Sequence, residues 1–405
     1  MSRALLIVLD SLGIGAAPDA PRFGDEGADT LGHIRAHCAS GQADVQRSGP
    51  LRIPNLDRLG LHYAWSRAHG QPVKDLGPGD STCAVLRERS TGKDTTSGHW
   101  ELCGCPVDYD WGYFSAWQDS MPQSLLDAWC ERASLPGVLG NCRGSGTELI
   151  KQLGEEHIRT GKPIVYTSAD SVLQIAAHEQ HFGLQRLDEV CHITRELVDA
   201  WRIARVISRP FVGDSASTFR RTGNRHDLAV PPHAPTLLDA MVATGFEVIG
   251  IGKISDIFAG HGISRSIPAT GLPELFDVTR DTFRSAPDGS LVFVNFVDFD
   301  SEYGHRRDVP GYARALEYVD QRLPELLELL QDGDLLMLTA DHGNDPSWTG
   351  SDHTRECVPL LAIGAGLRTG FAGIRESFAD LGQTLARHFG LPALAHGQAL
   401  PGANA

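Results

Sequence analysis

The sequence predicts an α/β protein built on a mostly parallel sheet. Three observations predict it. Short runs rich in Val, Ile and Leu recur along the chain, most of them end in a polar or acidic residue, and helical patterns lie between them. Apolar runs of four to eight residues without alternation read as strands buried on both faces. Strands that alternate with helices imply a doubly wound sheet, in which ligands sit outside the carboxyl ends of the strands.

The elements follow in chain order. "ALLIVLD" ends at Asp10, "PIVYTSAD" at Asp170, "FEVIGIGK" at Lys253 and "LVFVNFVDFD" at Asp298 and Asp300. "LLMLTADH" ends at Asp341 and His342, and "VPLLAIG" at Gly364. All are expected to be buried parallel strands. Pro235 to Thr244 reads as a helix. Pro310 to Leu330 reads as another, with Leu316, Val319, Leu323, Leu326 and Leu330 at helical spacing, and Pro324 predicts a kink or break in it. Glu376 to Phe389 reads as a third, closed by Gly390.

The middle differs. Between about Tyr109 and Arg221, helical stretches (Gln123 to Ala133, Ser145 to Thr160, Leu187 to Trp201) are accompanied by only two or three short strands. Ser145-Gly-Thr-Glu148 fits a capping box. Gly213 to Pro235 is polar and Pro-rich enough for a return linker. The predicted organisation is a core in two parts, residues 1–106 and 225–405, with a smaller α/β insert at 107–224.

Composition narrows the class. A chain of 405 residues is long for one core, and 41% hydrophobic with 21% charged residues is a soluble globular profile. A net charge of −15 argues against a nucleic-acid partner or a basic membrane-binding face. "MSRALLIVLDSLGIG" is interrupted by Asp10 and shows no cleavage site, and no apolar stretch is long enough to span a membrane. The eight cysteines are scattered and read as reduced thiols, which places the chain in the cytoplasm.

The strand ends carry the chemistry. Asp10, Asp300 with His305, Asp341 with His342, and His353 beside Asp352 all follow strands or lie in strand-end loops. A lone Asp at a strand end is usually a cap and a lone His usually lies on the surface, so His62, His226 and His261 are left there. Asp298 either supports the site or faces away from Asp300. The combination is different: carboxylates and imidazoles without thiolates suit Mn²⁺, Zn²⁺ or Fe, and six ligands suit two ions.

"GKDTTSGHWE", Gly92 to Glu101, has no apolar periodicity and is expected to be a polar loop rather than a core helix or strand. A two-metal site activates a nucleophile and clamps the oxygens of a displacement at phosphorus. Thr95 or Thr96 supplies a candidate alcohol. Asp94 is placed to tether the loop, Lys93 to neutralise charge, and His99 and Trp100 to hold the loop against the sheet. Composition alone reads equally as a surface turn.

These blocks, with "VLDSLGIGAAPDA", "YTSADSVLQIAAHE", "RVISRPFVG", "RTGNRHD", "IGKISDIFAG", "VDFDSEYGHRRD" and "TADHGNDPSWTGSDHTRE", closely resemble bacterial phosphopentomutase, of the alkaline phosphatase superfamily. The resemblance covers nearly the whole chain in family order. It implies an alkaline-phosphatase-like core with a cap inserted. It also implies an enzyme that interconverts ribose 1-phosphate and ribose 5-phosphate, or the 2-deoxyribose equivalents, through a phosphothreonine and a 1,5-bisphosphate. Thr95 matches the residue phosphorylated in the family. Asp300, His305 and His353 match one metal site, and Asp10, Asp341 and His342 the other, with Thr95 completing its shell. The implied ions are two Mn²⁺, other divalent metals being compatible, and a sugar bisphosphate primes the cycle. Ser168, Asp170 and Val172 match sugar contacts; Arg205 and Lys253 match phosphate or substrate contacts, with Arg209 a rival to Arg205. The expected partners are pentose phosphates, with no nucleic acid or membrane, and the expected state is a monomer.

Departures from the family pattern are conservative or outside the ligands: Ser97, Glu302-Tyr303 and Ser347-Trp348, the last of which bears on substrate preference. A phosphatase or sulfatase of the same superfamily would share the metals, but the insert and its "TSADSV" block argue against it. A cofactor-independent phosphoglycerate mutase typically has a serine nucleophile and a longer chain. A non-catalytic scaffold would lack a ligand or the nucleophile, and none is missing.

Overall fold

The computed structural model describes residues 3–71, 81–114, 116–168, 171–364 and 366–402. The chain divides into two compact units, Met1–Tyr109 with Pro232–Ala405, and Asp110–Pro231. Strands β1 (Ala4–Val8) and β2 (Thr82–Leu86) precede the second unit. Within it lie β3 (Leu139–Arg143), β4 (Ile164–Thr167), β5 (Val172–His178), β6 (Arg205–Val212), β7 (Arg220–Arg221) and β8 (His226–Ala229). After it come β9 (Glu247–Ile251), β10 (Arg265–Ile267), β11 (Ser290–Asn295), β12 (Leu335–Thr339), β13 (Val358–Gly364) and β14 (Gly370–Arg375).

The first unit is an eight-stranded sheet in the order β10-β9-β11-β1-β12-β13-β2-β14. β11, β1 and β12 are fully buried and run parallel, in a register that aligns Asn295, Val8 and Thr339. β13 departs from the expected parallel direction: it is antiparallel to both β12 and β2. An all-apolar run is buried on both faces whichever way it points, so its composition carries no direction. The reversal matters for function. It brings the residues before β13, and those after β2, to the edge where β1, β11 and β12 end. β2, β10 and β14 are not among the runs expected as strands.

The helices follow the predicted pattern with local differences. Leu237–Ala243 begins with a capping box in which Thr236 and Asp239 exchange bonds. At Gly146–Thr160, by contrast, Ser145 is the N-cap residue but makes no side-chain cap bond. Ala379–His388 lies inside the third predicted helix, just short of Gly390. Val309–Leu327 continues through Pro324 rather than breaking there. A proline removes the bond to the carbonyl four residues earlier. That carbonyl, of Asp320, accepts from Asn55 Nδ2 at 3.0 Å instead. Its loss is made good from outside the helix.

The second unit is a six-stranded sheet, β3-β4-β5-β6-β7 with β8 also on β6. This is more strand than the sequence predicts. The stretch read as a linker contributes β7 and β8, both antiparallel to β6. One face packs Val165, Leu173, Ile175 and Val206 among residues of the helices Gln123–Arg132 and Leu184–Val198. The other packs Ile164, Ala176 and Phe211 with Ile150 of Gly146–Thr160. The eight cysteines of the chain are free, and burial pushes the Cys105 thiol up to about 11.

Candidate metal centre and nucleophile

Each site residue is placed by the sheet. Asp10 and Asp341 lie two residues beyond the paired ends Val8 and Thr339. Ser11 has φ +70°, an uncommon conformation for a residue with a side chain, and its N–H donates to Asp341 Oδ1 at 3.1 Å. The turn thus fixes both acids together. After β11 the chain enters a π-helix, Phe299–Gly304, in which His305 N–H donates to Asp300 O at 2.9 Å. A five-residue repeat returns the chain to the same side, so Asp300 and His305 converge. His353 enters ahead of β13.

Asp300 Oδ2 lies 3.1 Å from His305 Nε2, and Oδ1 lies 3.5 Å from His353 Nε2. These three residues form one group with metal-ligating spacing; Asp10, Asp300 and His342 form another, so Asp300 belongs to both. Asp341 lies alongside, its Oδ2 3.4 Å from His342 Nε2 and 3.1 Å from His99 Nδ1. Asp10 Oδ1 is 3.6 Å from His342 Nε2.

The tautomers are fixed from behind. His305 Nδ1 faces Ser351 O at 2.7 Å, His353 Nδ1 faces Lys93 O at 3.0 Å, and His342 Nδ1 faces Gly343 O at 3.1 Å. A carbonyl only accepts, so each Nδ1 carries the proton and each Nε2 presents a lone pair to the site. Two of these lone-pair atoms, on His305 and His353, face each other at 3.1 Å. Such a contact is repulsive unless a cation or proton lies between them. Asp10 Oδ1 and Asp341 Oδ2 are buried without a hydrogen-bond partner. Burial, then Asp341 and Asp300, pushes the Asp10 carboxyl well above the usual carboxylate range. Buried carboxylates so close together require positive charge. The residues therefore fit divalent cations of the Mn²⁺ and Zn²⁺ kind.

The "GKDTTSGHWE" stretch is not the loop that its composition predicts. Thr95–Leu102 is a helix with all residues but Thr95 buried. Asp94 caps it, accepting from Ser97 N at 3.1 Å and Ser97 Oγ at 2.8 Å. His99 and Glu101 are buried through specific bonds: Nδ1 of His99 to Thr95 O at 2.9 Å, and Glu101 to the N–H groups of Ser90 and Phe378. Polar residues satisfied in this way leave no apolar period to read. Trp100 is buried, with Nε1 on Ile257 O at 3.0 Å. A Cβ at Gly98 would lie 2.1 Å from Asp341 O. Gly98→Ala is accordingly expected to destabilise the unit by about 3 kcal/mol or more, seen as a lower urea midpoint. The result brings Thr95 Oγ1 to 3.2 Å from His342 Nε2. Thr96 is buried in the same helix, and the hydroxyl found beside an imidazole of the cluster is that of Thr95.

Other expected residues fall elsewhere. Lys93 is held by Asp25 at 2.8 Å and Asp352 at 3.4 Å. Asp298 faces away, into a cavity lined by Thr270, Gly271, Glu302 and Tyr303. Lys253 is half exposed and pairs with Asp256 at 3.2 Å. In the second unit, Ser168 follows the end of β4, Val172 begins β5 and pairs with Arg205 at the start of β6. These three form a row along one end of that sheet. Arg209 is further along β6 and donates to Gln174 Oε1 at 2.9 Å; burial lowers its pKa to about 10. Asp170 lies outside the described residues.

Residue-type reasoning missed the supporting amides. Asn295 Nδ2 donates to Asp10 Oδ2, and Asn344 Nδ2 to Asp300 Oδ1, each at 2.7 Å. Their position at strand ends beside the acids was the available signal. It also missed the anchor of the loop before His353. His33 Nδ1 lies 2.5 Å from Asp345 Oδ2, and its ring stacks on Trp348 with centroids 6.4 Å apart. The bond to Asp345 raises the His33 pKa from its ordinary 6.5, against burial. A raised histidine stabilises the fold fully below 6.5 and loses that contribution as pH rises through the folded value. The side chain is 37% exposed, so screening keeps the contribution to about 1 kcal/mol or less. His33→Gln should therefore melt below the wild type at pH 6 and approach it at pH 9, read by thermal denaturation.

A sequence profile of the Metalloenzyme superfamily matches residues 2–393. A protein of Chelativorans sp. called phosphopentomutase is 59% identical over 399 residues, covering 98% of each chain. One of the same name from Edwardsiella ictaluri is 56% identical, covering 98% of this chain and 99% of its own. The chain belongs to the phosphopentomutase family. Phosphopentomutases are isomerases, and this chain is an enzyme of that class. Among solved structures, a Leishmania mexicana phosphoglycerate mutase aligns over 98% of this chain and 97% of its own at 13% identity, with a TM-score of 0.45. No described helix is long and apolar enough to cross a membrane.

Proposed function

We propose that this chain interconverts ribose 1-phosphate and ribose 5-phosphate, and their 2-deoxyribose equivalents, through phosphorylated Thr95 and a 1,5-bisphosphate. The observation that carries the reading is the Thr95 hydroxyl, at the first residue of a capped helix and 3.2 Å from His342 Nε2 in the carboxylate and imidazole cluster. Asp300, His305 and His353 would hold one divalent ion, and Asp10, Asp341 and His342 the other, with Mn²⁺ the favoured metal. When bound, such ions neutralise phosphoryl oxygens and make an alkoxide accessible near neutral pH.

The chain's own residues then do the following. Phospho-Thr95 lies at a helix N-terminus, whose free N–H groups and dipole favour negative charge. The sugar hydroxyl attacks phosphorus, the P–Oγ1 bond of Thr95 breaks, and the hydroxyl's proton ends on Thr95 Oγ1. After the bisphosphate turns around, Thr95 Oγ1 attacks the other phosphorus and its proton ends on the departing sugar oxygen. Nothing is consumed, so a trace of sugar bisphosphate suffices to prime Thr95. The 110–231 unit serves as the cap, with Ser168, Asp170 and Val172 contacting the sugar. Arg205 rather than Arg209 contacts phosphate, since Arg205 is in the row with Val172 at the strand ends. Lys253 supplies a further cation. The enzyme acts as a cytoplasmic monomer.

The test supplies Mn²⁺-loaded protein with ribose 5-phosphate and a trace of sugar bisphosphate, and follows ³¹P resonances. Ribose 1-phosphate with little free phosphate is the expected result. Free phosphate without ribose 1-phosphate would mean that water is the acceptor, and the mutase reading would fall.

A further inference from the structure

Arg307 lies two residues after His305 and seven after Asp300, and the sequence motif gives it no role. Its backbone has φ +56°, a region uncommon and strained for a residue with a side chain. Its guanidinium makes five bonds, three to the segments that carry His305 and His353 and two to Asn344 and Asp345. Nε donates to Gly350 O at 2.7 Å and Nη2 to Asp352 O at 3.1 Å. Nη1 donates to Gly304 O at 3.0 Å, Asn344 Oδ1 at 2.6 Å and Asp345 O at 2.9 Å.

Four of the five bonds lie one step behind Asp300, His305 or His353, and the fifth, to Asp345 O, holds the residue after Asn344. Gly304 precedes His305. Gly350 and Asp352 flank Ser351, whose carbonyl takes the Nδ1 proton of His305 at 2.7 Å. Asp352 precedes His353. Asn344, with its oxygen held by Arg307, is oriented to donate Nδ2 to Asp300 Oδ1 at 2.7 Å. Among the described residues Arg307 makes no such bond to Asp10, Asp341 or His342. A planar fork with several fixed donors suits this task, and a lysine cannot reproduce it.

We infer that Arg307 is a positioning residue for one of the two metal sites: it sets the geometry of Asp300, His305 and His353 without touching metal or substrate. The strained backbone is the conformation that turns its fork back over the three loops. This rests on the two-metal reading above. Groups that orient metal ligands from behind typically change metal affinity by about 10–100-fold when removed.

The test is Mn²⁺ binding to the metal-free full-length chain by isothermal titration calorimetry, with circular dichroism as the folding check. Wild type is expected to take up two ions. Arg307→Ala should weaken one binding step by about 10–100-fold and change the other at most a few-fold, with the fold intact. Arg307→Lys should fall between the two. Unchanged affinities would overturn the inference, and so would equal weakening of both steps, which would mark a merely structural role. If Arg307→Ala does not fold, Arg307→Lys carries the test, with one step weakened and the other not. Wild type taking up fewer than two ions would sink the two-metal reading, and this inference with it.

Discussion

Thr95→Ala is expected to lower the interconversion of the two pentose phosphates by about 10⁴-fold or more, the scale on which removal of a covalent nucleophile acts. The geometry makes this a clean substitution. Thr95 is the one residue of its helix that is not buried, so removal of its hydroxyl opens no core cavity. The cap bonds belong to Asp94 and Ser97, and the His99 contact uses the Thr95 backbone carbonyl. The folded state should therefore melt with the wild type. Incubation with labelled sugar bisphosphate, followed by mass spectrometry, should show one phosphate on the wild-type chain and none on the variant. Thr95→Ser should retain labelling. An active Thr95→Ala chain would remove Thr95 from the mechanism.

Asp300→Asn is expected to cost more than loss of any single histidine. Asp300 alone belongs to both groups of ligand atoms. Its replacement by an amide removes a buried negative charge that faces His305 on one oxygen and His353 on the other. It also sets the new amide against Asn344 Nδ2, which now donates to Oδ1 at 2.7 Å. The ion proposed for Asp300, His305 and His353 would lose its one carboxylate, and the other ion a negative charge close to its own ligands. Metal content of the purified protein, by inductively coupled plasma mass spectrometry, should fall from two ions by at least one, with weaker retention of the second, whereas His305→Ala should lose about one and keep the second. Activity should fall by at least about 10³-fold, the equivalent of several kcal/mol of charge stabilisation. Equal metal content in the two variants would argue that the Asp300 charge acts on its own ion alone.

Much of the candidate site was legible because its chemistry lies at strand ends. An apolar run followed by an acid, as in "ALLIVLD" and "LLMLTADH", names both the strand and the residue that the sheet will present at its edge. The helix of Thr95 was not legible, because most of what it buries is Ser97, His99, Glu101 and the bare backbone of Gly98, and the two buried apolar side chains, Trp100 and Leu102, set no helical period. Periodicity cannot register burial that is achieved by hydrogen bonds. The same limit hid Asn295, Asn344 and Arg307, whose work is done on other side chains and carbonyls.

The sequence by itself determined the α/β class and the family, and it named the residues proposed as ligands. Tertiary structure decided how these elements meet. The reversal of β13 brings His353 and the Thr95 helix to the edge where β1, β11 and β12 end. Asn55 supplies the bond that lets the helix Val309–Leu327 run through Pro324. A π turn folds Asp300 and His305 onto one side. The physical reason is common to all three. Local sequence fixes what a segment prefers, but strand direction, a borrowed hydrogen bond and the convergence of distant ligands depend on partners that lie far away along the chain.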